Sequence, residues 1–321
     1  MFDVSDTKMA KKLNRFNSLT QIVYLNTQIC IYSPNLIHIF VKKKNHMTLG
    51  IDIGGTNLVL GLVENGRILR KFSVPSFKKD ATMEQTLEYL SEQITGIITP
   101  DTTKIGVGVP TLVDTHTGVV YDAGNIPSWK VVPLKAYLEE RFGVPVSVGN
   151  DANCFAMAAY GAYPEDAKPE VLVGITLGTG TGLGIVDRGR LFCGANSGAG
   201  ELCSLPYRGT MIEDYCSKKF FEGRGWDSKA AAIAAGGGDA AALALFEEFG
   251  MHLGELVCNV LYAYDPSHIA FGGGIAHSLD LFRPSMDAYV REHFPYSISV
   301  DHLTIAAFAD DDFPVIGASL I

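Results

Sequence analysis

The sequence has no C-x-x-C pair. Its six cysteines (Cys30, Cys154, Cys193, Cys203, Cys216, Cys258) fall at irregular spacings among 321 residues, the pattern of reduced thiols in a cytoplasmic protein. Positive charge is not in excess either. With 26 Lys+Arg against 35 Asp+Glu the formal net charge is −9, which excludes a protein whose main business is coating nucleic acid. A Gly-x4-Gly-Lys-Ser/Thr phosphate loop is absent, and no glycine turn fits the dinucleotide-binding fingerprint well. Charged residues reach only 19%, but with 47% apolar residues the composition is ordinary for a globular chain, so wholesale disorder is excluded. Proline is sparse, at 14, beside 34 glycines. The glycines have no collagen-like period, so they should mark tight turns and close backbone approaches.

What charge there is lies unevenly. Residues 1–46 hold seven Lys/Arg and two Asp/Glu, a net of +5, whereas 47–321 carry a net of −14. In the leader, Leu19 to Val41 lacks charged side chains and precedes Lys42, Lys43 and Lys44, a length that would permit a membrane span. Against a span, Gln21, Asn26, Gln28, Pro34, Asn35 and His38 are mostly costly in lipid, and there is no small-residue cleavage site. No membrane partner is therefore expected, and 1–46 reads as a disordered extension or a start upstream of Met47. The remaining length suits two domains. We place an N-terminal α/β domain over 47–163, with a segment at about 305–321 returning to it, and a larger α/β domain over 164–304.

The ordered part opens with two apolar runs, Thr48 to Ile53 and Leu58 to Val63, and a third from Arg67. Asn65-Gly66 between the last two is a strong hairpin signal, so the entry is a three-stranded meander. Thr82 and Gln85 form a capping box for a helix over 82–98. Ile105 to Pro110 and Val144 to Val148 read as strands, with a helix between them opened by Pro133 and closed by Gly143. The second half starts in the same way. Gly174-Ile-Thr-Leu-Gly-Thr-Gly matches Gly50-Ile-Asp-Ile-Gly-Gly-Thr, and Gly184 to Phe192 matches Gly61 to Leu69, about 123 residues apart. That spacing suggests duplicated domains facing each other. Asp239 to Tyr264 and Leu279 to Glu292 read as helices.

Three glycine turns each end an apolar strand: Gly54-Gly55-Thr56-Asn57, Gly178-Thr179-Gly180-Thr181-Gly182 and Gly272-Gly273-Gly274. Each alone could be a plain hairpin; together they favour a phosphate cradle between two domains. Asp52, inside an apolar strand, is costly there unless paired or near a metal ion, and is either a Mg²⁺ contact or a turn-capping carboxylate. Asp151 follows a strand and begins a helix beside Asn150 and Asn153. It is either an N-cap or a base that accepts a hydroxyl proton while Asn150 binds neighbouring hydroxyls. Glu201, flanked by glycines, and Glu213, on a helix after Gly209, are of the type that accepts paired hydrogen bonds from sugar hydroxyls, or else surface charges.

Taken in order, Asp52-Ile-Gly-Gly-Thr-Asn57, Gly149-Asn-Asp-Ala-Asn153, Leu177-Gly-Thr-Gly-Thr-Gly182, Gly198-Ala-Gly-Glu201 and Gly272-Gly-Gly274 resemble the ROK family of sugar kinases and sugar-responsive repressors, in the actin-like ATPase superfamily. The similarity runs from about Thr48 to Ala318. It implies an α/β fold of two actin-like (ribonuclease H-like) domains with a central cleft and a duplicated β-meander. The implied activity is that of a cytoplasmic, homodimeric, ATP- and Mg²⁺-dependent hexose kinase of carbohydrate metabolism, glucokinase-like, whose partner is a small sugar and not nucleic acid. By analogy Asp151 is the general base; Asn125, Asn150, Glu201, Ser204 and Glu213 line the sugar side. The turns at Gly54 and Gly178 hold ATP phosphates, Gly272 to Gly274 lie near the adenosine, and Asp52 holds Mg²⁺ through water. Two departures matter. Many members carry a His where Ser204 stands and then a Cys-x-Cys-Gly-x-x-Gly-Cys zinc loop; here Leu205 to Met211 bridges almost directly to Glu213, so no zinc is expected. Phe313 to Ile321 also stops where the family continues a last helix, which should be short or missing. Other readings are a kinase for fructose, mannose, allose or an N-acetylhexosamine, and a non-catalytic sugar-sensing regulator, for whose winged-helix domain about 46 leader residues are too few.

Overall fold

Asn65 and Gly66 both take positive φ, 51° and 73°, as a tight hairpin between twisted strands requires. They join the last two strands of a meander, β1 (Met47–Ile53), β2 (Asn57–Glu64) and β3 (Arg67–Pro75). The computed structural model describes residues 47–321 apart from 309, together with strands at Gln21–Leu25, Gln28–Tyr32 and Ile39–Lys42. Those three strands pair antiparallel in a sheet of their own, in a unit separate from Met47–Ile321. These strands fall within residues 1–46, expected as a disordered extension or a start upstream of Met47; the rest of that expectation lies outside the described residues.

Helix α1 (Met83–Thr95) begins at the capping box: the Gln85 backbone N–H donates to Thr82 Oγ1 (3.3 Å) and the Thr82 N–H to Gln85 Oε1 (2.9 Å). Strand β4 (Thr102–Val109) follows, then α2 (Leu134–Phe142), ended by Gly143 at φ 66°, then β5 (Val146–Asn150), which runs straight into α3 (Asp151–Ala162). The first sheet has the order β5-β4-β1-β2-β3, with β5, β4 and β1 parallel and the meander antiparallel. Strands β6 (Val171–Leu177), β7 (Thr181–Asp187) and β8 (Arg190–Leu191) form the second meander. After α4 (Ile212–Cys216), α5 (Lys218–Glu222), α6 (Ser228–Gly236) and α7 (Ala240–Tyr264) come β9 (His268–Gly272), α8 (Leu279–His293), β10 (Thr304–Ala307) and α9 (Phe313–Leu320). The second sheet reads β8-β7-β6-β9-β10, with β6, β9 and β10 parallel. Strand for strand this repeats the first sheet, so the duplication visible in two hairpins extends to all five strands. Among the described residues no single helix is long and apolar enough to cross a membrane.

Helix α3 joins the halves. It packs on β6 and β7 of the second sheet and on α9, which lies across β1, β4 and β2 of the first. These approaches need bare backbone. A Cβ on Gly317 of α9 would stand 1.9 Å from the Cys154 carbonyl oxygen of α3, and one on Gly106 of β4 would stand 1.7 Å from the Ala318 carbonyl oxygen. The last helix is thus eight residues long, short rather than missing, and wedged between the start of α3 and the first sheet. Gly317→Ala should therefore destabilise the protein by about 1–3 kcal/mol, read in a denaturant titration, because the obstacle is backbone and cannot rotate away. An unchanged midpoint would mean that α9 is free to shift.

Candidate active site

Parallel pairing brings the C-terminal ends of β1 and β5 to the same end of the first sheet, with β4 between them. Asp52 sits near the end of β1, and Asn150 and Asp151 at the junction of β5 and α3. Both residues are half-buried. Burial pushes Asp52 up to about 7, helped by the negative charge of Asp151. Burial likewise pushes Asp151 up to about 6; hydrogen bonds from the Ala152 backbone work against that rise, and the Glu201 charge adds to it. Asp52, Asp151 and Glu201 therefore form one electrostatic cluster, with Glu201 at the exposed rim, opening the 3₁₀ turn Glu201–Ser204.

Asn150 is the N-cap: its Oδ1 accepts from the Ala152 N–H at 2.9 Å, and its Nδ2 donates to the Thr111 carbonyl at 3.3 Å. Asp151 Oδ1 also accepts from the Ala152 N–H, at 2.8 Å. The helix start thus fixes the Asp151 carboxylate through Oδ1.

Around the cluster the first glycine turn closes on itself, Gly54 N–H to the Asn57 carbonyl (2.9 Å), and Ser76 Oγ donates to the Gly54 carbonyl (2.7 Å). Gly55, Thr56 and Asn57 stand exposed beyond it. Gly55 meets Asn125, which would lie 3.5 Å from a Cβ there. Asn125 is carried by a loop anchored on the fully buried Trp129, whose Nε1 donates to Thr86 Oγ1 at 2.7 Å.

The second and third turns also meet. A Cβ on Gly273 (φ 81°) would stand 2.5 Å from the Leu177 carbonyl oxygen, one residue before Gly178, while Gly274 is exposed beside it. Gly272 is buried against the Phe155 ring, a packing role. Ala152, next to Asp151, touches Gly182 at the end of the second turn, so α3 spans from the carboxylate cluster to that turn. Within the second turn Gly178 N–H donates to the Gly180 carbonyl (2.9 Å) and Thr179 is exposed. Thr181 differs from expectation: its hydroxyl donates to the Cys216 carbonyl (2.8 Å) and its N–H to Glu213 Oε2 (3.3 Å), so both donors are used inside the protein. Glu213 sits against this turn, where a Cβ on Gly180 would meet its Oε2 at 2.8 Å, and pairs with Lys219 at 2.5 Å. Ser204 is exposed at the end of the Glu201 turn.

Three contributors carried no signal strong enough to single out. Thr111 lends only a carbonyl. Cys154 lies one helical turn after Asp151, and its thiol is pushed well up by burial and by the charges of Asp151 and Asp52. Thr115 contacts Ser197 (Oγ to Oγ 3.2 Å), a contact 82 residues apart in sequence that no local pattern reveals.

The ROK family model matches residues 48–321. Among curated relatives, a glucokinase of Halalkalibacterium halodurans is 29% identical over 285 residues, covering 77% of this chain and 84% of its own. An N-acetyl-D-glucosamine kinase of Vibrio cholerae is 30% identical over 281 residues, covering 77% and 90%. Among solved structures, a ROK family glucokinase from Streptomyces griseus in complex with glucose and AMPPNP superposes with a TM-score of 0.70 at 27% identity, over 85% of this chain and 98% of that one. The two matching sheets with α3 between them are thus the α/β, actin-like fold of ROK kinase structures. With a family match across the whole of the larger unit and a fold shared end to end, this chain belongs to the ROK family.

Proposed function

We propose that the protein is an ATP-dependent hexose kinase that transfers the γ-phosphoryl group to a sugar hydroxyl, with the 6-hydroxyl of glucose as the leading acceptor. The observation that carries this reading is Asp151, a desolvated carboxylate fixed at the start of α3 with one oxygen held by the Ala152 N–H, between the strand-end carboxylate Asp52 and the second glycine turn. Such a group suits acceptance of one hydroxyl proton as the new O–P bond forms and the bond to the leaving ADP oxygen breaks. On this reading Asn125, Asn150, Glu201 and Ser204 orient the sugar. Gly54 to Asn57, Gly178 to Gly180, and Gly273 and Gly274 of the three turns face the nucleotide, and Thr181 and Gly272 support those turns from behind. The seat of Glu213 on the second turn favours a part in shaping that turn as well as the sugar pocket.

Asp52 fits a divalent cation held through water: its charged form is disfavoured by burial and by Asp151, and a nearby cation reverses both effects. Magnesium, when bound, neutralises phosphate charge, which the net charge of −9 on this chain otherwise repels.

A coupled ADP-release assay over glucose, fructose, mannose, allose and N-acetylglucosamine tests the proposal. Glucose should give the highest kcat/KM. Well-folded protein without sugar-dependent turnover would overturn the kinase reading, and a higher kcat/KM for N-acetylglucosamine would reassign the acceptor, in line with the Vibrio cholerae relative.

A further inference from the structure

Glu201 and Glu213 are joined by a mostly exposed hairpin whose two ends run into the core at Cys203 and Ile212. The 3₁₀ turn Glu201–Ser204 leads into Pro206–Tyr207, which pairs antiparallel with Thr210–Met211 before α4 brings in Glu213. Arg208 (φ 48°) and Gly209 (φ 86°) make the tip. Every residue from Ser204 to Met211 is exposed except Tyr207.

Tyr207 is held by a buried cluster on neighbouring helices. Its hydroxyl lies 3.0 Å from Nδ1 of His252 on α7, a residue only 1% exposed. The Tyr207 ring stands edge-on to Tyr215 of α4 (5.1 Å, 88°) and to His252 (5.7 Å, 84°). His252 packs in turn on Tyr215 and Phe220, and its Nε2 faces Glu248 Oε1 at 3.5 Å. Glu248 is gripped by Arg224 through two hydrogen bonds, and that guanidinium lies 3.8 Å over the Phe220 ring. The peg is therefore seated in a socket whose own members are fixed.

We infer that Tyr207, docked on His252, is the positioning residue that holds the hairpin and so sets the separation and orientation of the two glutamates at its ends. This rests on the proposed sugar-kinase reading for its functional consequence, and on the packing alone for the anchoring. A flexible link between two groups that must bind one ligand together costs orientation, and the loss falls on binding of that ligand. Tyr207→Ala should accordingly raise the KM for sugar about tenfold or more while kcat falls less and the KM for ATP stays within about twofold. Tyr207→Phe keeps the ring stacking and loses only the hydroxyl contact, so its sugar KM should lie between those of the wild type and Tyr207→Ala, which serves as rescue by the conservative variant.

The test pairs these kinetics with trypsin cleavage after Arg208, the exposed tip of the hairpin. Faster cleavage of Tyr207→Ala than of wild type, by several-fold, together with the selective rise in sugar KM, supports the inference. Unchanged cleavage overturns the anchoring. Faster cleavage with an unchanged sugar KM, or with sugar and ATP KM raised alike, overturns the positioning role while leaving the kinase reading intact. Wild-type protein that phosphorylates no hexose overturns the kinase reading itself, and the inference with it, before any variant is compared.

Discussion

Asp151→Asn should lower kcat by about 10²–10⁴-fold, the usual contribution of a positioned general base, with the KM values for sugar and ATP nearly unchanged. The substitution keeps the shape of the side chain and an oxygen for the Ala152 N–H, so the start of α3 should survive it. What disappears is the capacity to take a proton. In wild type the rate should rise with pH through the range of about 6 to 7 in which Asp151 and its neighbour Asp52 ionise, and then level off; because the two carboxyls feel each other, the profile belongs to the pair. The stability consequence has the opposite sign. Both groups ionise less readily folded than their ordinary value of 3.8, so between about pH 4 and 7 the native state holds more protons than the unfolded chain. Their contribution therefore favours the folded protein at the acid end of that window and is lost as the pH rises through it. Asp151→Asn, with no charge to bury, should melt at a higher temperature than wild type above pH 7 while being almost inactive. A variant that is inactive and also less stable would point to a collapsed helix start in place of a missing base, and one that keeps full rate would remove Asp151 from the chemistry.

The features legible in the sequence are those decided by neighbours along the chain. The Asn65-Gly66 hairpin, the Thr82–Gln85 capping box and the stop at Gly143 are local choices of backbone angle and hydrogen bond, and all three stand where the pattern places them. The repeat of two meanders was visible for the same reason, and the matching strand orders of both sheets extend it. Non-local contacts were not legible. Glycines were expected at turns and close approaches, yet nothing in the sequence tells that Gly106 and Gly317 clear a path for α9 and α3, or that Gly272 receives the Phe155 ring. Thr181 looked like Thr179 in the same turn, but only the fold brings Cys216 within reach of its hydroxyl. The Tyr207–His252 contact joins residues 45 apart on a hairpin and a long helix, and neither residue belongs to a motif.

Trp129→Ala should cost about 3–5 kcal/mol of stability, the range for truncating a large buried aromatic side chain. Trp129 is fully buried and its ring lies 5.4 Å from that of Phe77, in the core formed by the first sheet, α1 and α2. Its backbone closes the loop that carries Asn125: the Ala123 N–H donates to the Trp129 carbonyl at 2.9 Å and the Trp129 N–H to the Ile126 carbonyl at 2.8 Å. The indole N–H ties the same residue to Thr86 of α1, whose hydroxyl donates onward to the Met83 carbonyl at 2.6 Å. Removing the ring thus opens a cavity and frees the loop beside Gly55 at once. Trp129→Phe separates these effects, since it retains most of the packing and loses the hydrogen bond, and should cost less than the alanine variant. In a urea titration the two variants should fall in that order below wild type. Where enough folded Trp129→Ala remains to assay, its sugar KM should rise with the freedom of Asn125. A loss below about 1 kcal/mol for the alanine variant would show that the loop is held by its backbone bonds alone, and Asn125 would then owe its place to the turn at Gly54 and Gly55 rather than to the core beneath it.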